Sequence, residues 1–255
     1  MKIEVASGKY LTDEEIVSYL KHSSLPTLLV EGKDDMSIYR WIEEDCGAIF
    51  DIFQCHGRKT LFKVFDRRNE INNVKIAFVA DKDTFVFNKV PNKYNDIIFT
   101  NGYSIENDLY YGRRIEGLLS HRELLIYQKS IKEYCRYYAS QVERVNHAES
   151  YNLRILPCKI LDENTHELIP SNLGFSFTEP SDEVYNNVVD NYDKLIRGHS
   201  LFSLLFRIIS KRKKDPKYSH IQLYEMCYRT MRSEMMNLLV HKISSSFNLN
   251  ISYSV

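Results

Sequence analysis

The sequence has little glycine, nine residues in 255. That argues against low complexity and against a glycine-rich loop wrapped around a cofactor's phosphates. Cysteine is also sparse. Cys46, Cys55, Cys135, Cys158 and Cys227 are odd in number, and no two share CxxC spacing. A disulfide or zinc framework is not expected, and buried, reduced thiols in a cytoplasmic protein are. Lys plus Arg equals Asp plus Glu at 34 each, so no global field draws the chain to nucleic acid or membrane. Any such partner has to be met by a local patch. No apolar secretory segment opens the chain, and no run of about 18 residues is apolar and uncharged enough to span a membrane. The nearest candidate, "SLFSLLFRIISKRKK", is broken by Arg207 and ends in a basic cluster.

What is present alternates through the first half. "TDEEIVSYLKH" predicts a helix that Thr12 caps and Glu15 closes as a capping box. "TLLVE" is a short apolar run, read as a buried strand. "DDMSIYRWIEED" carries Met36, Tyr39 and either Ile42 or Glu43 in helical register. "AIFDIFQC" predicts a strand, and "KTLFKVFDRRN" a helix with Leu61, Val64 and Phe65 on one face. "VKIAFVAD" is the clearest strand, and "NDIIFT" a further short one. This order predicts an α/β fold, a parallel sheet flanked by helices. From about Ile115 the pattern turns helical. "NLRILPCKILD" fits one or two short strands, and "SNLGFSFTEPSD" a loop. Ser181 is expected to cap the helix after it, Gly198 to break the chain before "HSLFSLLFRIISKRK", and "IQLYEMCYRTMRSEMMNLLVHKI" to form one last helix. The expected division is an α/β core over 1–114 and a mainly helical part over 115–255.

Two strands end in acids. Glu31 closes "TLLVE"; Asp81 closes "VKIAFVAD", with Asp83 two residues on. In open parallel sheets, chemistry collects beyond the carboxyl ends of the strands. If the strand runs on through Lys82, Asp81 and Asp83 point the same way and share a divalent cation. Carboxylate oxygens suit Mg²⁺ or Mn²⁺. Glu31 would face them, Gly32 would give a tight turn with room for a phosphate, and Asp35 would complete a second metal position. The plain alternative is that Asp34 and Asp35 cap the next helix and that Asp81 and Asp83 lie in a solvated turn.

"LLVEGKDD", followed about fifty residues later by "FVADKDTF", resembles the Toprim domain of topoisomerases, primases and OLD-type nucleases. "TNGYSIENDL" is similar to a signature of the Toprim subfamily that contains AriB, effector of the PARIS anti-phage system. "LIRGHSLFSLL" is similar to a later stretch of that subfamily, with His199 where a lysine is usual. The resemblance implies a Toprim-like parallel sheet with Glu31 as the Toprim glutamate and possible base, and Asp81 and Asp83 as metal ligands. Glu106 is then a further acid near the metal, or else a charge stabilised at a helix N-terminus. The implied activity is Mg²⁺-dependent phosphodiester hydrolysis on a two-metal site. As the resemblance has it, an endoribonuclease toxin cuts host tRNA, is held inactive by an ABC-type ATPase partner, and dimerises on release. An OLD-type DNA endonuclease and a non-catalytic Toprim-like binding module are the alternatives.

With no net charge, phosphate contacts must be local. Arg58 and Lys59, in "HGRKT", are the preferred pair for the scissile phosphate, and His56 beside them is a ligand, an acid or a plain loop histidine. Lys82 touches phosphate or points to solvent. Lys211, Arg212, Lys213 and Lys214 form a basic run suited to the nucleic-acid backbone or to a solvated helix end. The tyrosine-rich "YQKSIKEYCRYYASQVERVNH" would stack unpaired bases, or pack as core or dimer face.

Overall fold

The structure, a computed structural model, describes residues 10–33, 35–47, 49–210 and 217–249. In chain order the elements are α1 (Asp13–His22), β1 (Thr27–Val30), α2 (Met36–Asp45), β2 (Asp51–Gln54), α3 (Arg58–Asp66), β3 (Ile76–Ala80) and β4 (Ile98–Phe99). Then come α4 (Ile105–Tyr110), α5 (His121–Asn146), α6 (Pro157–Ile160), α7 (Asp182–Asp190), α8 (Tyr192–Leu195), α9 (Gly198–Ile209), α10 (His220–Arg229) and α11 (Glu234–Ser246). The fold is α/β, with a parallel sheet flanked by helices and a mainly helical C-terminal part, as the alternation predicts. No described helix is long and apolar enough to cross a membrane.

The chain groups into two compact units. One holds the residues up to Asp81, Pro91–Thr100 and those from Leu238 on; the other holds Lys82–Val90 and Asn101–Asn237.

The first unit carries the sheet. Its order is β2-β1-β3-β4, all parallel, with Leu28 opposite both Ile52 and Ala77. β1 is buried along its whole length, as a strand between two neighbours and under helices must be. Helical spacing gives α1 an apolar face of Ile16, Val17 and Leu20, and gives α3 a face of Leu61, Val64 and Phe65; the two helices pack together. On α2 the buried stripe is Ile38, Tyr39 and Ile42. Each such side chain contributes about 1.5–3 kcal/mol when fully buried. The capping box at Thr12 and Glu15 forms, with Thr12 N–H donating to Glu15 Oε2 at 2.8 Å. Phe65 meets Phe78 edge to face at 5.2 Å, and Phe50 stacks on Phe247 at 4.6 Å.

The second unit is helical and departs from the sequence reading in three places. "NLRILPCKILD" forms no ladder, only the short α6 and one bridge between Leu161 and Leu168; Pro157 favours a helix start and withholds a sheet donor. The expected single last helix is two. Ser233 intervenes: its hydroxyl accepts from Met236 N–H at 3.0 Å and donates to the Asp108 carbonyl, starting α11 afresh. Ser181 stands before α7, but its hydroxyl donates to Glu143 Oε1 at 2.6 Å and does not cap the helix. Gly198 does open a new helix, after the extended pair Ile196 and Arg197.

Candidate functional site

In the first unit β1 and β3 are neighbours, and the chain runs to opposite sides of β1 before and after α3. This reversal is a topological switch point, and a crevice opens beyond the strand ends at such points. Glu31 follows β1 directly, and Asp81 follows β3. The backbone N–H of Asp81 donates to Glu31 Oε1 at 3.0 Å. Both flanking strands thus deliver an acid to one edge, and a hydrogen bond between them fixes the glutamate.

A third segment closes on the same place. After β2, His56 takes a left-handed backbone with φ 54°, and Gly57 follows at φ 119°, which only glycine adopts readily. This double reversal lets Gly57 N–H reach the Glu31 carbonyl at 2.6 Å and aims Arg58 back at the strand ends. The Arg58 guanidinium donates to the Asp81 carbonyl at 2.9 Å and stands 4.0 Å from Glu31 Oε1. Arg58, expected on a substrate phosphate, is here engaged with the two acidic positions. Lys59 is exposed in the first turn of α3. The His56 ring stacks on Tyr10 at 4.1 Å; burial first, and then the Lys33 charge, lowers its pKa. Burial, reinforced by Glu31, pushes the Cys55 thiol up to about 12, so it is no nucleophile.

Two expectations for this loop change. Gly32 has no left-handed backbone, and a Cβ there would meet nothing within 4 Å, so the turn does not require glycine. Asp35 opens α2 through its carbonyl, which accepts from Ile38 and Tyr39 N–H, while its carboxylate makes no capping bond. Asp34 lies outside the described residues, as do Lys211, Arg212, Lys213 and Lys214.

In the second unit, Asp83 corrects the strand argument. β3 stops at Ala80, Lys82 has helical backbone, and Asp83 turns left-handed at φ 48° to open a 3₁₀ turn. Asp81 and Asp83 are therefore not alternate positions of one strand. Aspartate tolerates this conformation better than most residues, and its N–H is taken by the Tyr103 carbonyl at 2.7 Å. Lys82 Nζ donates to the Asn101 carbonyl at 3.2 Å.

The "YSIEND" stretch is buried and hydrogen-bonded throughout. Ser104 opens α4, and its hydroxyl donates to Glu106 Oε2 at 2.5 Å. Glu106 is only 9% exposed, at the second position of this helix. Asn107 accepts from Ser104 N–H and donates to the carbonyls of Asp193 and Ile196, at 2.8 and 2.6 Å. Asp108 was missed in the sequence. Its carboxylate is fully buried and accepts from the Asn101 and Gly102 amides and from the Asn101 side chain. A glycine and an asparagine ahead of a helix with an acid on its first turn was the available signal.

The tyrosines of α5 do not present free faces. Tyr127, Tyr134, Tyr137 and Tyr138 are fully buried, so they are core residues and not a base-stacking surface. Among the described residues, no group of three or more His, Cys, Asp or Glu side chains is arranged to hold a metal ion. Compared with known proteins, the chain matches no family model and no curated protein.

Proposed function

We propose that this chain is a metal-dependent nuclease that hydrolyses phosphodiester bonds. The observation that supports it most is the Glu31 carboxylate held against the Asp81 amide at the switch point of a parallel sheet. Mg²⁺ keeps several waters and is usually bound by one or two carboxylates together with substrate phosphates. Glu31 and Asp81 offer the hard oxygens it prefers, so the chemistry of the donors fits, and a third acid from the protein is not required. When bound, the cation would supply an activated water and relieve charge on the leaving oxygen.

The chain's own residues do the rest. The Asp81 amide orients Glu31, and Arg58 offsets the negative charge of the Glu31 carboxylate. Asp83 and Glu106 enter through the sequence pattern they share with Toprim nucleases. By the same resemblance the substrate is host tRNA, the setting is bacterial anti-phage defence, an ABC-type ATPase holds the enzyme inactive, and the released form is a homodimer.

The test uses protein expressed without a partner, with Mg²⁺ or Mn²⁺, against total tRNA and plasmid DNA, beside Glu31→Gln. Metal-dependent tRNA cutting that Glu31→Gln abolishes is the expected result. Cutting of DNA alone moves the assignment to an OLD-type DNA endonuclease. Cutting of neither, or equal cutting by the variant, removes the enzyme reading.

A further inference from the structure

We propose that Arg58 is a latch on the candidate site: its guanidinium competes with a divalent cation for the Glu31 carboxylate and turns to a substrate phosphate when the cation binds. The latch rests on the nuclease reading for its cation and phosphate; the contacts of Arg58 stand apart from that reading.

The backbone places Arg58. Gly57 N–H reaches the Glu31 carbonyl at 2.6 Å, and the Gly57 carbonyl accepts from Leu61 N–H at 3.1 Å, so α3 begins against the end of β1. From there the side chain leans over the Phe62 ring, with the guanidinium carbon 5.2 Å from its centroid. Nη2 donates to the Asp81 carbonyl at 2.9 Å, and Nε stands 4.0 Å from Glu31 Oε1. That oxygen is the one that accepts from the Asp81 amide. Both side chains are largely withdrawn from water, Arg58 at 23% exposure and Glu31 at 20%. One positive charge thus spans the two residues that offer oxygens to a metal.

The contact is strong enough to hold Glu31 and loose enough to open. Attraction across 4 Å in a partly desolvated site exceeds that in bulk water. Nε and Oε1 are nonetheless too far apart for a hydrogen bond. A divalent cation on the Glu31 carboxylate brings two like charges beside the guanidinium, and each weakens the hold of the other on that oxygen. Arginine stays protonated, so it yields by moving and not by losing its charge. α3 opens with Arg58 and Lys59 and has no acid in its first turn, so the helix dipole also favours an anion there. A phosphodiester meets that demand, and the guanidinium fork matches its oxygens in pairs. The latch accounts both for Arg58 lying beside the acids and for its expected place on the scissile phosphate.

Isothermal titration calorimetry tests the latch by measuring Mg²⁺ binding, with no nucleic acid present, to wild type, R58A, R58Q and R58K. R58A and R58Q are expected to bind Mg²⁺ about five- to tenfold more tightly than wild type, and R58K, which keeps the charge, to stay closer to it. An arginine that only braces Glu31 gives the reverse, weaker binding in R58A. On wild type itself, phenylglyoxal labelling of Arg58, read by peptide mass spectrometry, should rise several-fold when Mg²⁺ is added. Arg113, paired with Asp193, should not change. This second measurement serves even where a variant fails to fold. Affinity in R58A and R58Q equal to or weaker than wild type, or Arg58 labelling that Mg²⁺ leaves unchanged, overturns the latch. Tighter binding by R58A in a protein that cuts neither tRNA nor plasmid DNA leaves the latch standing and removes the nuclease reading. Metal-dependent cutting by wild type with unchanged affinity in R58A does the reverse.

Discussion

Gly198 lies against the backbone of Asn107 so closely that a Cβ on it would stand 2.8 Å from the Asn107 amide nitrogen and 2.6 Å from Glu106 Cβ. Those atoms belong to the first turn of α4, which cannot give way without breaking the bonds of Asn107. Gly198→Ala is therefore expected to cost about 1–3 kcal/mol, the usual range for overpacking. The urea midpoint reads it. Gly32→Ala, placed in open space, should stay within about 0.5 kcal/mol of wild type. Equal midpoints for the two variants would contradict the close approach.

Glu31→Gln keeps an oxygen that can accept from the Asp81 amide and removes only the charge. Its metal-free melting temperature should match wild type. Wild type should melt higher in Mg²⁺, by the equivalent of about 2.7 kcal/mol at a hundredfold excess over Kd, and the variant should not. A melting temperature that ignores Mg²⁺ in both proteins counts against Glu31 as a metal ligand.

Much of the first unit was legible because its signals are local. The capping box at Thr12, the buried run of β1 and the helical faces of α1 and α3 each follow from spacing alone. Glu31 and Asp81 were legible as strand ends. The site's finer geometry was not. That Asp83 turns left-handed depends on the Tyr103 carbonyl, twenty residues away, accepting its amide. The aim of Arg58 depends on the positive φ of His56 and Gly57, which no spacing in the sequence announces. Helical spacing favours core or a dimer face over base stacking for the tyrosines of α5, and their full burial, with Tyr134 and Tyr137 donating to the Ile155 and Asn152 carbonyls, makes them core.

Five thiols with one exposed make a direct test of burial. Cys158 is exposed, and the other four are buried. Burial also pushes Cys55 and Cys227 up to about 12 and Cys135 higher still, which suppresses their thiolates. Brief iodoacetamide treatment of native protein should label Cys158 alone by peptide mass spectrometry, and all five in denaturant. Labelling of Cys55 in the native protein would contradict the packing at the end of β2.

Glu116 sits in a buried network, accepting from the hydroxyls of Tyr192 at 2.5 Å and Tyr110 at 2.9 Å, with Arg113 nearby. Burial raises its pKa above the usual 4.5, more than the two hydroxyls and Arg113 lower it. A carboxyl raised on folding contributes stability that is fully present below its unfolded pKa. That contribution is lost as pH rises through the folded value. Wild type should therefore lose stability relative to Glu116→Gln as the pH rises above the usual carboxyl range, about 4.5. Glu70, held at about 2 by Arg67 and Lys21, gives the opposite slope, but both proteins share it and it cancels in the difference. Urea midpoints across that rise in pH supply the measurement. A gap that moves in favour of wild type would mean that the hydroxyls and Arg113 outweigh burial at this carboxylate.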